Sequence, residues 1–399
     1  MKKLIIIYTL LALAACKKNN SSAPPVITSV HTVYKSIVDS ALVTNITIRD
    51  SAGTIRMDTT SYKNTNPQIV KFDSTTTAGN LGNLYAIMGQ NFGGTLKVMF
   101  NGQSVYFNPA LSSDNTILVT IPQNAPSGGN QSNKLEVVTT HGTASFQFVV
   151  LAPPPTIVSL SNMNFSAGSQ ITLLGLGFKS VTDVSLKGSN DKTTIVTQND
   201  SVLTLQFPTT TLTRTNLVFT YGSGTLTSTQ EFVNLDKAYQ IFTDDFQNAW
   251  TDNSWQGPSG RTTATAKSGT ASYIFTYPAN GWKIEGAANW YPSMDYDPAY
   301  KYLSFWIKGG NADHVLTIVG DQMDGGYSQN TSATAFTITV PAQNWTYFKI
   351  PLGAPASSDP KLLNFWKNGT PAKQLGFFLK GQGSDPDETM YVDDLIFIK

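Results

Sequence analysis

The tryptophans are the residues of this chain best suited to a specific chemistry, and all seven lie beyond residue 237. An indole is a flat, rigid, polarizable surface, and a sugar ring presents a flat face of C–H groups with a rim of hydroxyls. Covering roughly 100 Å² of such a face contributes about 2–3 kcal/mol at about 25 cal/mol/Å². The segregation therefore predicts a separate C-terminal domain with a function of its own, and stacking on sugar rings is a chemistry that its indoles could perform.

Position along the chain separates binding candidates from core candidates. Trp306 and Trp345 lie in strand-like runs and are assigned to the fold, whereas Tyr327 and Trp366 are weaker loop candidates. Loop stretches rich in Asn, Asp, Ser and Gly hold the main candidates, because binding residues collect on loops of rigid sandwiches. For every one of these aromatics the alternative is packing in the core. The predicted glycan-binding residues, including two polar partners, are Trp250, Trp255, Trp282, Trp290, Tyr291, Glu285 and Asn289.

The ionisable residues argue against catalysis. Glycoside hydrolysis uses two carboxylates, and Glu285 is the only glutamate placed like an acid catalyst, with no evident second member. The three histidines are scattered, and phosphate-loop, dinucleotide and nucleophile-elbow patterns are absent from the sequence. We therefore expect that the protein is not an enzyme and that it binds no cofactor and no metal.

Four aspartates could supply oxygen ligands to calcium, but we interpret them as solvated acids at strand ends: Asp244, Asp245, Asp393 and Asp394.

The amino-acid composition limits the classes of binding partner that we expect. Charged residues make up 13% of the 399 residues, and the formal net charge is +1. Nucleic acid and anionic membrane surfaces are therefore not expected as partners. Apolar residues make up 40% of the chain, which is enough for ordinary globular cores.

The N-terminus has the pattern of an export signal. Lys2 and Lys3 precede a short apolar run at residues 4–12, and Leu-Ala-Ala then leads to Cys16, the single cysteine of the chain. These residues resemble a bacterial lipobox, which implies cleavage after residue 15 and lipidation of Cys16. An ordinary signal peptide is the alternative. Residues 16–24 are expected to form a flexible tether.

Short alternating runs separated by Gly, Pro, Asn and Ser clusters predict an all-β chain. Residues 89–92 (GQNF) recur as residues 175–178 (GLGF) after about 86 residues, and each copy follows a proline-led strand. The repeat resembles the immunoglobulin-like IPT/TIG domain. It predicts a first such domain at 25–152, with an N-terminal extension, and a second at 153–236.

Residues 237–399 have a different character. Residues 244–246 (DDF), 303–309 (LSFWIKG) and 391–395 (YVDDL) resemble jelly-roll carbohydrate-binding modules. The whole layout resembles the surface glycan-binding lipoproteins of Bacteroidetes-type glycan uptake systems, in their xyloglucan-binding branch. Lys17 and Lys18 depart from that pattern, in which acidic residues often follow the lipidated cysteine.

The resemblance implies a β-glucan or xyloglucan ligand captured for uptake or degradation by partner proteins. It also implies an outer-membrane anchor facing the cell exterior and an outer-membrane glycan transporter complex as partner. A second hypothesis is an adhesion or scaffold lipoprotein that binds another protein and uses its tryptophans only as core.

Overall fold

The computed structural model describes residues 22–33, 43–49, 55–61, 74–128, 131–279, 282–381 and 386–399, with the side chains of 43–49, 55–61 and Trp282 outside the description. The predicted signal peptide and Cys16 lie outside the described residues. Within them, no helix is long and apolar enough to cross a membrane. The chain is built of β-strands with a few short 3-10 turns, so the all-β prediction is confirmed.

The first compact unit, Met1–Pro153, contains a β-sandwich. Its facing sheets have the strand orders β1-β5-β8 and β10-β9-β6-β7, β11 pairs with β4, and β2 pairs with β3 as a separate hairpin. Leu135 and Val137 of β9 face the core, where Phe100 and Phe148 also pack. The strands are β1 (Val26–Thr32), β2 (Val43–Arg49), β3 (Ile55–Ser61), β4 (Ala78–Asn80), β5 (Leu84–Gln90), β6 (Thr95–Phe100), β7 (Gln103–Val105), β8 (Thr116–Thr120), β9 (Lys134–Thr139), β10 (Gly142–Gln147) and β11 (Val149–Leu151).

The structure explains the G-x-x-F repeat. A Cβ added to Gly175 would lie 1.8 Å from the carbonyl oxygen of Thr156, and one added to Gly89 would lie 2.0 Å from that of Val26. Glycine is therefore required where the opening strand of each domain pairs closely with its antiparallel neighbour in the sheet. The phenylalanine three residues later, Phe92 or Phe178, is buried in the core of its own domain.

The second compact unit, Pro154–Lys399, holds two further sandwiches. The earlier one, called here the second sandwich, pairs sheets of order β12-β14-β17-β16 and β13-β19-β18-β15. Its core includes Phe165, Phe178, Phe207 and Phe232. The strands are β12 (Thr156–Leu160), β13 (Asn164–Phe165), β14 (Gln170–Leu176), β15 (Val181–Leu186), β16 (Thr194–Gln198), β17 (Val202–Gln206), β18 (Arg214–Tyr221) and β19 (Gly224–Asn234).

The later one, called here the third sandwich, has one sheet of order β22-β25-β30-β27-β28. In the opposing seven-stranded sheet, β31 pairs with β20 and β24 along one edge and with β26 along the other. The strands are β20 (Tyr239–Thr243), β21 (Asp245–Phe246), β22 (Thr251–Asp252), β23 (Ser259–Thr262), β24 (Ser272–Tyr277), β25 (Trp282–Ala288), β26 (Tyr302–Lys308), β27 (His314–Gly320), β28 (Thr337–Val340), β29 (Trp345–Pro351), β30 (Gln374–Lys380) and β31 (Glu388–Ile398).

The second and third sandwiches share a polar interface. The indole N–H of Trp306 donates to Oδ1 of Asn162 at 2.8 Å, and the amide of Asn164 donates to Asp394 at 3.0 Å. Lys349 forms an ion pair with Glu231 at 2.6 Å. A small apolar cluster joins the same two sandwiches, with members Val233, Leu235, Ile396 and Ile398. Trp306 is thus structural, as expected, and it packs between domains.

Candidate functional site

The five-stranded sheet of the third sandwich has an outer face that carries its own aromatic group. Along β25 and β30, Ala287, Leu375 and Phe377 enter the main core. Residues of the opposite parity face away from that core because side chains alternate along a strand. Ile284 and Phe378 belong to this outer set and pack with Val319 and Tyr327 in a separate cluster.

Trp255 stands on this outer face. The backbone after β22 continues beside β25, since Asn253 N–H donates to the carbonyl of Gly286 at 2.8 Å and Trp255 N–H donates to that of Ile284 at 2.9 Å. Trp255 therefore lies opposite Ile284. Its side chain is 51% exposed, and its ring meets the edge of Tyr327 with centroids 5.9 Å apart. About half of the residue therefore stays open to solvent.

The Tyr327 side chain packs against the sheet over two glycines, whose lack of a Cβ leaves room for it. A Cβ on Gly286 would lie 2.9 Å from the Tyr327 hydroxyl oxygen, and one on Gly376 would lie 2.8 Å from Cε2 of its ring. The hydroxyl donates to the carbonyl of Asn253 at 3.0 Å. Tyr327 thus packs against the Trp255 ring and supports its position. From the sequence, Tyr327 is only a weaker loop candidate. The signal that could have identified its supporting role is the pair of glycines at facing positions of β25 and β30.

Trp290 continues the same face beyond the end of β25, and Tyr291 follows it in the next turn. Asn289 N–H donates to the carbonyl of Lys373 at 2.8 Å, which keeps the chain in register with the neighbouring strand. Trp290 therefore follows the parity of Ala288 and lies on the outer side. Trp290 is 60% exposed and Tyr291 is 87% exposed. From Ile284 to Trp290 the distance along the strand is about 20 Å at ~3.3 Å per residue.

Three predicted site residues do not reach this surface. Trp250 is 1% exposed and packs in the main core, where its indole N–H donates to the Tyr239 hydroxyl at 3.2 Å. Glu285 and Asn289 are fully buried; the Asn289 side chain bonds Ser293 N–H and the Asn248 carbonyl. A buried ring cannot stack on a sugar, so assigning Trp250 to the surface is wrong, and Asn289 braces the loop. Trp282 begins β25, and its side chain is outside the described residues.

Of the two weaker loop candidates, Trp366 is also buried. Its ring packs against Tyr300, Phe365 and Phe397, and its N–H donates to the Met294 carbonyl at 3.1 Å. Among the described residues of the third sandwich, the strongly exposed aromatics are Trp255, Trp290 and Tyr291, which follow β22 and β25 in the chain.

Glu285 has an unusual protonation state for a glutamate. Burial raises the pKa of its carboxyl from 4.5 to about 8, and neither of its buried carboxyl oxygens has a hydrogen-bond partner. A neutral, buried carboxyl with no access to the outer face cannot protonate a bound glycan there, so the acid-catalyst position suggested by the sequence is not realised.

This shift predicts a pH dependence of stability. Between about pH 4.5 and pH 8 the unfolded chain loses the Glu285 proton and the folded chain keeps it. The free energy of unfolding should then fall by about 1.4 kcal/mol per pH unit in this window and level off above it. Urea titrations followed by tryptophan fluorescence report the third sandwich, because all the tryptophans lie beyond residue 237.

Glu285→Gln should remove this component of the slope. Burial also raises the pKa of Asp393, to about 7, so part of the slope will remain. Glu136→Gln in the first unit is the matched control and should leave the profile unchanged. Parallel profiles for wild type and Glu285→Gln would contradict the assignment.

The aspartates proposed as solvated acids are not all solvated. Asp393 and Asp394 are buried, and Asp393 accepts from the backbone N–H groups of Lys267 and Ser268 at 2.8 and 3.0 Å. The interpretation as solvated acids is therefore wrong for this pair, and Asp394 accepts hydrogen bonds from Asn162 and Asn164 of the second sandwich. Across the described ranges, no group of three or more His, Cys, Asp or Glu side chains is placed to hold a metal ion.

A polar trough of about 650 Å³ lies farther across the same outer face. Its floor and walls come from β27, β28, β30 and the loops that precede and follow β27. The lining residues are Ala312, Asp313, His314, Val315, Thr317, Asn330, Thr331, Ser332, Thr337, Phe378, Leu379 and Lys380.

Comparison with known proteins identifies the repeated unit. The model of the IPT/TIG domain family matches residues 67–149 and 155–233. An IPT/TIG domain-containing protein of Bacteroides ovatus is 33% identical over 120 residues, which cover 29% of this chain and 24% of that protein. The match thus spans about a quarter of the relative's length.

Solved structures show more distant likenesses. The surface glycan-binding protein PbSGBP-B from Prevotella bryantii is 18% identical with a TM-score of 0.47, over 83% of this chain and 96% of that one. SGBP-B from a complex xyloglucan utilization locus in Bacteroides uniformis is 16% identical with a TM-score of 0.40, over 94% and 99%. Domain identity rests on the family match: this chain carries two tandem IPT/TIG domains, followed by a third β-sandwich.

Proposed function

We propose that this chain is a lipid-anchored protein whose third sandwich captures a neutral polysaccharide without cleaving it. The observation that carries the proposal is the exposure of Trp255 and Trp290 on the outer face, with the exposed Tyr291 next to Trp290, in a sandwich that buries Trp250 and Trp366. Large aromatic rings are normally covered in a folded protein. Exposed rings aligned on a rigid sheet provide flat surfaces on which successive sugars can stack.

The energetics fit a receptor of modest affinity. Each stacked ring contributes about 2–3 kcal/mol, and association itself costs several kcal/mol. Two or three rings then give dissociation constants between about micromolar and millimolar. Many anchored copies on one surface would raise the effective affinity for a long polymer. The ligand class, β-glucan or xyloglucan, follows the sequence resemblance.

A direct binding experiment tests the proposal. The mature chain, residues 16–399, is titrated with cellohexaose and with xyloglucan oligosaccharides in a calorimeter and by tryptophan fluorescence. We expect binding accompanied by a change in indole emission, and no binding to a neutral α-glucan of similar size. A folded protein that binds no neutral β-glucan at millimolar concentration would overturn the proposal.

The lipid anchor is the second part of the proposal. Cys16 follows Leu-Ala-Ala and a short apolar run, which is the pattern processed by lipidation. We propose that the anchor holds the protein at the outer membrane, facing the exterior. There it would pass glycan to partner proteins such as an outer-membrane transporter complex. The two IPT/TIG domains, which contain no tryptophan, would act as spacers.

Cys16→Ser should abolish labelling with palmitate and release the protein from the membrane fraction or leave it unprocessed. Metabolic labelling and membrane fractionation measure both effects. Ala15→Gly keeps a small residue before the cysteine and serves as the control that should still be labelled. Palmitate incorporation into the Cys16→Ser protein would show that the anchor is elsewhere.

A further inference from the structure

The second sandwich carries an exposed patch of aliphatic side chains on the sheet of order β12-β14-β17-β16. Val158 of β12 is 79% exposed, and Leu176 of β14 is 61% exposed. Leu174 is exposed as well, and it pairs with Ser159 on one side and with Val202 on the other. Single exposed aliphatic residues are common on protein surfaces, whereas a group of them on one sheet face marks an interaction site. We call Val158, Leu174 and Leu176 the aliphatic patch.

The first sandwich shows that the fold does not require this patch. Its opening strand β1 pairs with β5 in the same register, and with a bulge at the same point, as β12 pairs with β14. At the bulge the first sandwich has Thr28 where the second has Val158. At the end of the pairing it has Gln90 where the second has Leu176, and both of its residues are exposed. The aliphatic residues are therefore particular to the second sandwich.

The sheet that carries the aliphatic patch has no charge. None of the residues described in β12, β14, β16 and β17 is acidic or basic, and charged residues such as Asp200 lie in the turns. The remainder of the face has hydroxyl and amide groups, among them Thr172 and Thr204, whose hydroxyls bond each other at 3.1 Å. The face offers no potential by which a charged partner could be selected, and two identical copies meet there without like-charge repulsion.

The size of this face limits the strength of any contact. Four strands at ~4.8 Å and about six residues at ~3.3 Å give a face of roughly 20 Å by 20 Å. Two such faces bury less than the about 1,200 Å² that specific, stable interfaces exceed. The formal net charge of +1 adds little repulsion between whole copies. The contact that fits this face is therefore weak and reversible.

We propose that the aliphatic patch docks on the same patch of a second copy of this chain. A two-fold contact is self-complementary, since the same residues come from both copies. It removes the aliphatic side chains of both copies from water, which is the main driving force of such an association. The inference concerns the second sandwich and does not depend on glycan binding by the third. If the third sandwich binds a polymer, pairing doubles the number of binding surfaces in one particle and raises the effective affinity.

The first sandwich supplies the substitutions for the test. A double variant of the mature chain, Val158→Thr with Leu176→Gln, introduces the residue types that the first sandwich has at these positions, so the fold should be kept. Sedimentation equilibrium from about micromolar to about millimolar concentration measures the pairing, with a reductant that prevents Cys16 from linking two chains. Wild type should dimerise in this range. The double variant should dimerise at least about tenfold more weakly.

Val315→Thr is the matched control, because it makes the same change at an exposed valine of the third sandwich, and it should dimerise as wild type does. Leu176→Gln alone should weaken dimerisation in the same direction as the double variant and gives a second measurement. Thermal melts establish that the variants fold. A wild type that stays monomeric up to millimolar concentration, or a dimer of undiminished strength in the double variant, would overturn the inference. Either result would leave the proposed function standing, since no glycan is present.

Discussion

Trp290→Ala should weaken binding of a β-glucan by about thirty- to hundredfold, which corresponds to about 2–3 kcal/mol of lost apolar contact. The same change should lower the free energy of unfolding by less than about 1 kcal/mol, since the indole is largely exposed. Titration calorimetry and thermal melts of the mature chain measure the two quantities. The combination of a large binding loss with a small stability loss is what distinguishes a stacking surface from a core residue.

Trp290→Phe is the matched control because it keeps a flat ring on the same strand extension. It should retain most of the affinity that Trp290→Ala loses. A Trp290→Ala protein that melts far below wild type would place this residue in the fold. Unchanged affinity in a stable protein would remove it from the binding surface.

Trp250→Ala should have the opposite profile. Its ring is buried in the main core, and truncation of a buried tryptophan costs about 3–5 kcal/mol of folding stability. The variant also loses the bond from the indole N–H to Tyr239. Urea unfolding followed by fluorescence of the remaining tryptophans measures the loss.

The folded fraction of Trp250→Ala, held at low temperature, should keep its affinity for the glycan, because the outer face does not include this side chain. Trp250→Phe fills most of the space and should lose less stability. A stable Trp250→Ala protein that no longer binds would show that the ring reaches the ligand after all.

Much of the fold could be predicted because alternation and turn residues are local signals. The repeated glycine and phenylalanine identified two related domains, and the glycine has a steric reason that the repeat alone does not state. The segregation of tryptophan marked the third sandwich as different. Loop composition correctly singled out Trp255, Trp290 and Tyr291 as exposed, and their contact with a glycan stays a prediction.

The composition of the surrounding loop does not distinguish the buried Trp250 from the exposed Trp255 and Trp290. Trp250 follows Asn248 and Ala249, both with positive φ, and its N–H donates to the Gln247 carbonyl at 2.9 Å. This tight turn reverses the chain within the loop and returns the ring to the core. Such backbone conformations are unusual for non-glycine residues, and an alanine gives no warning of one.

Glu285 and Asn289 are candidates from the sequence because they lie close to aromatic residues along the chain. In a strand, however, neighbours in sequence face opposite sides, so the residues nearest to an exposed ring are the ones turned inward. Glu285 shares the inward parity of Ala287.

The burial of Asp394 has no local signal in the sequence, because its partners Asn162 and Asn164 come from the second sandwich, about 230 residues earlier.

The interface between the second and third sandwiches also has a mechanical consequence under the proposed function. A polymer bound at the exposed aromatic residues and fixed elsewhere would pull on the third sandwich, and this force would be transmitted toward the second. Trp306, Tyr347 and Asp394 are bonded there to Asn162 and Asn164, beside the ion pair of Lys349. These bonds share the tension in parallel with the covalent connection, so several must break together before the joint can yield. The force that detaches the weakly stacked sugars should therefore be well below the force that separates these two sandwiches.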